Sequence, residues 1–345
     1  MYSKYSKILT INEIYSDNIG DQAIADAMLL ALNNKADIIE RADYSFRTDI
    51  SYLLNIKVME RLRFIKTLIP SNLKKMMSLI IKFPYAYKFA KNKYDIAIIG
   101  GGQLILSNYS FAVSMFLWVT TLKLFGTKIK IISVGVGDNF SIFDKILFKL
   151  SLSKIDVIYL RDQISINNLT NIFNIRSFFI PDIAYYLKDS TSFKFAKNIL
   201  IAPIEYSVHE RYAEEMGNTL MNQAEHFSWW RTYILDKAKK NQNILICPTT
   251  VKDYLFSSDL IHSIQSQQKN IKLVKCRTWN DFMLHASTAE FVSSGRMHAL
   301  ILGHIVGAKI EPIFVSNKLI AYANQYLSDS AKSHRLKIIE IMKEV

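Results

Sequence analysis

Tyr94-Asp95-Ile96-Ala97-Ile98-Ile99-Gly100-Gly101-Gly102-Gln103 decides the fold of the first half of the chain. Ile96 to Ile99 is apolar at every position, without polar alternation. That is the pattern of a short strand covered on both faces, as in a parallel sheet. The run stops in three glycines, which permit positive φ and a close approach of backbone to a ligand. The spacing is not Gly-x-Gly-x-x-Gly, and no P-loop lysine follows, so no nucleotide fingerprint is read here.

The same unit recurs on either side. Upstream, residues 7–15 form a strand pattern that runs into Asn18-Ile19-Gly20-Asp21, a turn with Asp21 available as helix N-cap. A helix to residue 31 and a strand over 36–40 follow. Downstream come a helix over 110–125 and a strand over 128–134 closed by Gly135-Val136-Gly137. A helix over 143–152, a strand over 156–160 ending in Arg161-Asp162, and a strand over 176–180 ending in Pro181-Asp182 complete the series. This alternation predicts a doubly wound parallel sheet. Ligands of such sheets sit at the carboxyl ends of the strands. Gly20, Asp21, Gly101, Gly102, Gly137, Arg161 and Asp182 all fall there.

Residues 185–197 are polar and read as a linker, after which the pattern restarts. A strand over 198–203 is followed by a loop over 205–211 that begins with Glu205. A long helix over 218–240 carries Trp229 and Trp230. Strands at 243–248, 271–275, 289–292 and 309–315 alternate with helices at 257–267 and 281–286, and the tail at 320–343 is helical. The predicted domains are residues 1–187, with a basic insert at about 56–94, and residues 198–345. A chain of 345 residues is of ordinary length for two such domains.

The strand at 289–292 leads into Ser293-Ser294-Gly295-Arg296-Met297-His298. A strand, a short Ser/Gly turn and a helix start make an anion site, because the first helical N–H groups are unpaired and carry partial positive charge. Arg296 adds a permanent, forked cation. His298 adds a group that gives or takes a proton near neutral pH. The plain alternative is a turn with Arg296 in a salt bridge and His298 packed. Asp21, Asp162 and Asp182 read first as caps or turn formers, and Glu205 as structural. Trp229, Trp230 and Tyr233 read as a core helix face before a sugar-stacking platform.

Half the residues are apolar and there are only 11 Gly and 6 Pro, so the chain packs as a globular protein. Cys247 and Cys276 are the two cysteines, in neither a metal nor a redox spacing, which points to a reducing compartment. The first ten residues carry no apolar signal region, so a cytoplasmic location is expected. Residues 100–122 are uncharged, but the glycines, Gln103 and Asn108 argue against a membrane span. The net charge is +13, and ten Lys/Arg against one acid lie between Ile56 and Tyr94. Interleaved with large apolar residues, this stretch fits an interfacial helix on an anionic membrane, or else a solvated helix face. No zinc-finger, RNP-type or helix-turn-helix signature supports nucleic acid as a partner.

Asn18-x-Gly20-Asp21, Gly100-Gly101-Gly102, Gly135-x-Gly137, Arg161-Asp162-x-x-Ser165, Pro181-Asp182 and Ser294-x-Arg296-Met297-His298 occur in this order. Together they resemble the polysaccharide pyruvyltransferase family over about residues 14–315. The resemblance implies a GT-B-like fold, two Rossmann-like domains with a cleft between them. It implies transfer of a pyruvyl group from phosphoenolpyruvate to two hydroxyls of a sugar in a surface or exopolysaccharide precursor, giving a cyclic ketal. Arg161, Ser294, Gly295, Arg296 and Met297 would bind the donor, and His298 would move the proton. Neither cofactor nor metal is implied. The acceptor expected is a lipid-linked oligosaccharide at the inner face of the membrane, where the basic stretch would make the protein peripheral. The residues suit this chemistry: arginines hold carboxylate and phosphate by forked, charge-assisted bonds, and a histidine beside the phosphate serves as general acid or base. The competing readings are a GT-B glycosyltransferase using a nucleotide sugar and a non-catalytic protein that binds a polyanion or membrane.

Overall fold

A computed structural model describes residues 5–48, 70–107, 110–188, 198–216, 221–239, 243–264 and 270–345. The chain forms two compact units. The first holds Met1–Ser16, Ile24–Ile183 and Lys337–Val345, and the second holds Asp17–Ala23 and Ala184–Leu336.

The first run of elements is β1 (Tyr5–Asn12), α1 (Ile19–Leu32), β2 (Ala36–Asp43), α2 (Ser71–Ala90), β3 (Ile96–Gly100), α3 (Phe111–Leu124), β4 (Lys128–Val134), α4 (Ile142–Leu152), β5 (Val157–Leu160), α5 (Gln163–Phe173) and β6 (Phe178–Phe179). The six strands lie in the order β2-β1-β3-β4-β5-β6. Every pair is parallel. As its unbroken apolar run requires, β3 is buried at each position, with Ile96 beside Ile8 and Lys128. The uncharged stretch that follows is α3, whose Val113, Met115, Trp118 and Leu122 fill the core. Phe46 stacks on Trp118 at 4.9 Å, and Phe89 of α2 meets its ring edge-on at 5.8 Å. Among the described residues, no helix is long and apolar enough to cross a membrane. The C-terminal segment returns to this unit, where Tyr5 Oη donates to the Val345 carbonyl at 2.9 Å.

The second run is β7 (Asn198–Ala202), α6 (Tyr206–Met216), α7 (Gln223–Ala238), β8 (Asn243–Ile246), α8 (Val251–Ile264), β9 (Ile271–Leu273), α9 (Trp279–Ala286), β10 (Ala289–Ser294), α10 (Met297–Ile305), β11 (Lys309–Pro312), α11 (Asn317–Tyr326) and α12 (Ala331–Met342). Its five parallel strands lie in the order β11-β10-β7-β8-β9. The first strand of this unit is central and the order reverses there. The reversal sets a switch point between β7 and β10, where ligands of such sheets bind. In the first sheet the corresponding reversal lies between β1 and β3.

Several elements start elsewhere than the sequence pattern indicates. The expected loop over 205–211 is the first turns of α6, begun by Glu205, whose carboxylate accepts from the Ser207 N–H at 2.7 Å and from the Ser207 hydroxyl. Helix α8 begins at Val251, six residues early, because the Thr250 hydroxyl accepts from the Asp253 N–H at 3.1 Å. Helix α1 begins at Ile19, which puts Gly20 and Asp21 in its first turn. Asn18, not Asp21, takes the capping role, with its Oδ1 accepting from the Gly20 N–H at 3.0 Å. The helical tail is two helices, α11 and α12.

Lys57, Arg61, Arg63 and Lys66 of the basic insert lie outside the described residues. In its described part the even basic face is interrupted. Lys75 is buried and donates to Asp144 of α4 at 2.7 Å. Lys82 lies over the Phe46 ring, and burial pulls its ammonium down to about 8.

Candidate functional site

Both sheets close their switch points with a polar side chain. In the first unit the Asn12 amide, at the end of β1, donates to the Gly100 carbonyl at 2.5 Å. In the second the Ser294 hydroxyl, at the end of β10, donates to the Ala202 carbonyl of β7 at 2.9 Å. The same hydroxyl accepts from the Arg296 N–H at 2.8 Å. Ser294 is thus fixed between two strands and turns the chain so that Arg296 stands at the N-cap of α10, with an extended backbone and no side-chain cap. Gly295 is packed between Ile204 and Val315, and Met297 is buried.

The Arg296 guanidinium is held on one edge. Its Nε donates to Asp253 Oδ2 at 3.0 Å and its Nη2 to Oδ1 at 2.8 Å, a forked ion pair with a carboxylate that is fully buried. Burial works against the charge, yet Asp253, with smaller pulls from Tyr212 and Glu205, raises Arg296 above its ordinary range. The Asp253 carboxylate also accepts from the Glu205 N–H at 3.0 Å and the Thr249 hydroxyl at 3.4 Å. The ends of β7, β8 and β10 are therefore tied to one carboxylate. The Arg296 side chain is one-quarter exposed, at 23%, and its Nη1 takes no part in the fork with Asp253.

His298, in the first turn of α10, is packed against the start of α1. A Cβ on residue 20 would stand 2.6 Å from His298 Cβ and 2.8 Å from its Nδ1, so only glycine lets the two helix starts meet. The loop before Gly20 is anchored on the same edge: the Ile19 N–H donates to the Thr249 carbonyl at 3.0 Å, and the Val251 N–H to Asp17 Oδ2 at 3.1 Å. Gly20, Glu205 and the stretch Ser294 to His298, three places distant in sequence, gather at the switch point of the second unit.

Of the remaining expected site residues, Arg161, Asp182, Gly101, Gly102 and Gly137 lie in the first unit and mostly brace it. Arg161 is buried, its Nη1 donating to Asp182 Oδ2 at 3.2 Å and its Nε 3.5 Å from Asp162. A side chain at Gly135 would strike that guanidinium. Asp162 caps α5 by accepting from the Ser165 N–H at 2.7 Å. Gly101 has φ +71 and faces Ile24 of α1 so closely that no side chain fits, while the Gly102 carbonyl accepts from the Gly135 N–H at 2.8 Å. Gly137 donates from its N–H to the Ile105 carbonyl at 2.8 Å. Trp230 is core, whereas Trp229 is partly exposed and stacks on Tyr233 at 5.4 Å. Among the described residues no group of three or more His, Cys, Asp or Glu is placed to hold a metal ion.

The family profile for polysaccharide pyruvyl transferase matches residues 18–309. The chain belongs to that family. It is a transferase whose acceptor is a polysaccharide. A comparison with curated proteins finds no match. Among solved structures, a UDP-N-acetylglucosamine 2-epimerase from Rickettsia bellii is similar, with 11% identity, a TM-score of 0.51, and coverage of 99% of this chain and 88% of the other. The Methanocaldococcus jannaschii UDP-GlcNAc 2-epimerase gives 11% identity, a TM-score of 0.53, and coverage of 98% and 92%. The Neisseria meningitidis enzyme, bound to UDP-GlcNAc, gives 11% identity, a TM-score of 0.52, and coverage of 98% and 91%. At such identity the likeness shows the fold, two parallel α/β sheets of the GT-B-like kind.

Asp253 escaped the sequence pattern. With the helix expected to start at residue 257, Asp253 fell in a loop. The one signal was Thr249-Thr250 with an acid three residues on, an arrangement that starts helices.

Proposed function

We propose that this transferase takes its pyruvyl group from phosphoenolpyruvate and joins it to two hydroxyls of a sugar in a surface or exopolysaccharide precursor carried on a lipid. The observation that carries the reading is the Arg296 fork: one edge fixed by a buried carboxylate, the other open at a switch point beside a helix N-terminus. Such an edge suits the carboxylate or phosphate of a small dianion. In the reaction the enol carbon gains a proton, the resulting oxocarbenium-like centre accepts the first hydroxyl, phosphate leaves with the C–O bond, and the second hydroxyl closes the ketal. The two hydroxyl protons balance the proton gained and the proton lost to solution or phosphate. His298, two residues from Arg296, is assigned the proton transfer. Asp253 is a positioning residue that holds Arg296. Arg161 is kept as a donor contact to be tested on its own, since its guanidinium also braces Asp182. No cofactor enters the proposal.

The test supplies phosphoenolpyruvate with a lipid-linked oligosaccharide and reads phosphate release together with the mass of the product. The expected gain is pyruvic acid less one water. A gain of a hexose less one water from a nucleotide sugar, with no phosphate released from phosphoenolpyruvate, would replace this reading with glycosyl transfer.

A further inference from the structure

The first unit exposes apolar side chains that its own core does not use. On α2, Met76, Ile80 and Ile81 point outward, Ile80 and Ile81 with 77% and 72% of their surface open, and Leu73 and Tyr87 extend the stripe in both directions. On α4 the exposed side is Ile142, Ile146 and Leu150, four residues apart, with Ile142 81% open. Helical spacing puts each set on one face. The opposite faces are accounted for: Ala86, Ala90 and Phe89 of α2, and Leu147, Phe148 and Leu152 of α4, pack into the core around α3.

The helices that carry the two stripes both pack on α3 and are tied to each other at their starts. Lys75, in the first turns of α2, reaches Asp144, in the first turn of α4, and lies over the Phe143 ring at 5.7 Å. This buried pair ties the start of α2 to the start of α4, with Met76 next to Lys75 and Ile142 two residues before Asp144.

The charge on this surface has one sign. Helix α2 contains no acid, and the single acid of α4, Asp144, is buried against Lys75. Lys88, Lys91, Lys145 and Lys149 are exposed beside the apolar stripes. A second copy of the same face would bring lysine against lysine, whereas a bilayer of anionic lipid supplies both an apolar depth for the isoleucines and negative headgroups for the lysines.

We propose that the α2–α4 face is the surface by which this protein docks, peripherally, on an anionic bilayer. The isoleucines enter the acyl boundary and the lysines lie among the headgroups. The inference stands apart from the donor chemistry and holds or fails independently of it.

Flotation with vesicles tests it, using the full chain. Vesicles with about one-third phosphatidylglycerol are expected to carry the protein at low salt and release much of it at high salt, since headgroup attraction fades within a Debye length. Phosphatidylcholine vesicles should carry little. Exchanging Lys88, Lys91, Lys145 and Lys149 for Glu should lower the binding constant at least tenfold. Ile80→Asp with Ile146→Asp should abolish binding while leaving the melting temperature and phosphate release with a soluble acceptor unchanged, as both side chains are outside the core. The proposal is overturned if the wild type stays with the soluble fraction at low salt, or if the double isoleucine variant still floats. It is equally overturned if sedimentation finds a wild-type dimer that the isoleucine variant splits without any vesicle binding.

Discussion

At the scale of single residues, the site rests on one forked ion pair. Arg296→Ala removes the open anion edge and leaves the buried Asp253 carboxylate without its cation. Donor binding should weaken by about 2–5 kcal/mol, the range for truncating one partner of a buried charge pair, as calorimetry with phosphoenolpyruvate would show. Unchanged donor affinity would return Arg296 to a structural role. His298→Gln should act differently, cutting kcat far more than donor affinity, because the loss belongs to the transition state. The motif around Arg296 and His298 was legible because it is contiguous and carries unusual residue types at a strand end. Asp253 and the Gly20–His298 contact were not. Both join residues more than forty positions apart, and no local period encodes such a meeting.

At the scale of elements, strands were more legible than helix starts. The apolar runs of β1, β3, β4, β7 and β10 are covered on both faces, so burial writes them directly into the sequence. Helix α6 stands where a loop was expected and α8 begins earlier than expected, since their first turns are stabilised by Glu205 and Thr250 rather than by apolar contact. The basic insert shows the same limit. Ten cations in a row of apolar residues look alike in sequence, yet Lys75 is spent inside, on Asp144. Removing one partner of such a pair strands a buried charge, so Asp144→Ala should cost about 3–5 kcal/mol in denaturant melts. Lys88→Ala, on the exposed side of the same helix, should stay within about 0.5 kcal/mol. Equal effects of the two substitutions would mean that Lys75 and Asp144 do not anchor α2 to α4.

At the scale of the whole molecule, two doubly wound units follow from the repeated strand–helix pattern, and the second of them carries an acid sensitivity of its own. His226 of α7 is buried between Phe256 and Trp230, whose indole N–H donates to its Nε2 at 3.2 Å. Burial first, and then the neighbouring His209, pull His226 down to about 4, while Glu205 pulls the other way. His304 of α10, bonded to Tyr185 Oη at 2.9 Å, is lowered to about 4 by burial and then by His334. Both folded values lie below the ordinary 6.5 of the unfolded chain. Between those limits the unfolded chain therefore binds more protons than the folded one. Stability from these groups is whole above 6.5, drains as pH falls through the window, and levels off near 4. At about 1.4 kcal/mol per unit for each group, the two together make a drop of several kcal/mol. Thermal melts at about pH 7 and about pH 4.5 should show this as a fall in Tm. His226→Phe, which keeps an aromatic among aromatics and removes the titration, should give a shallower fall with pH than the wild type. A wild type equally stable at both pH values, or a variant with the same slope, would mean that these histidines do not govern the acid limb.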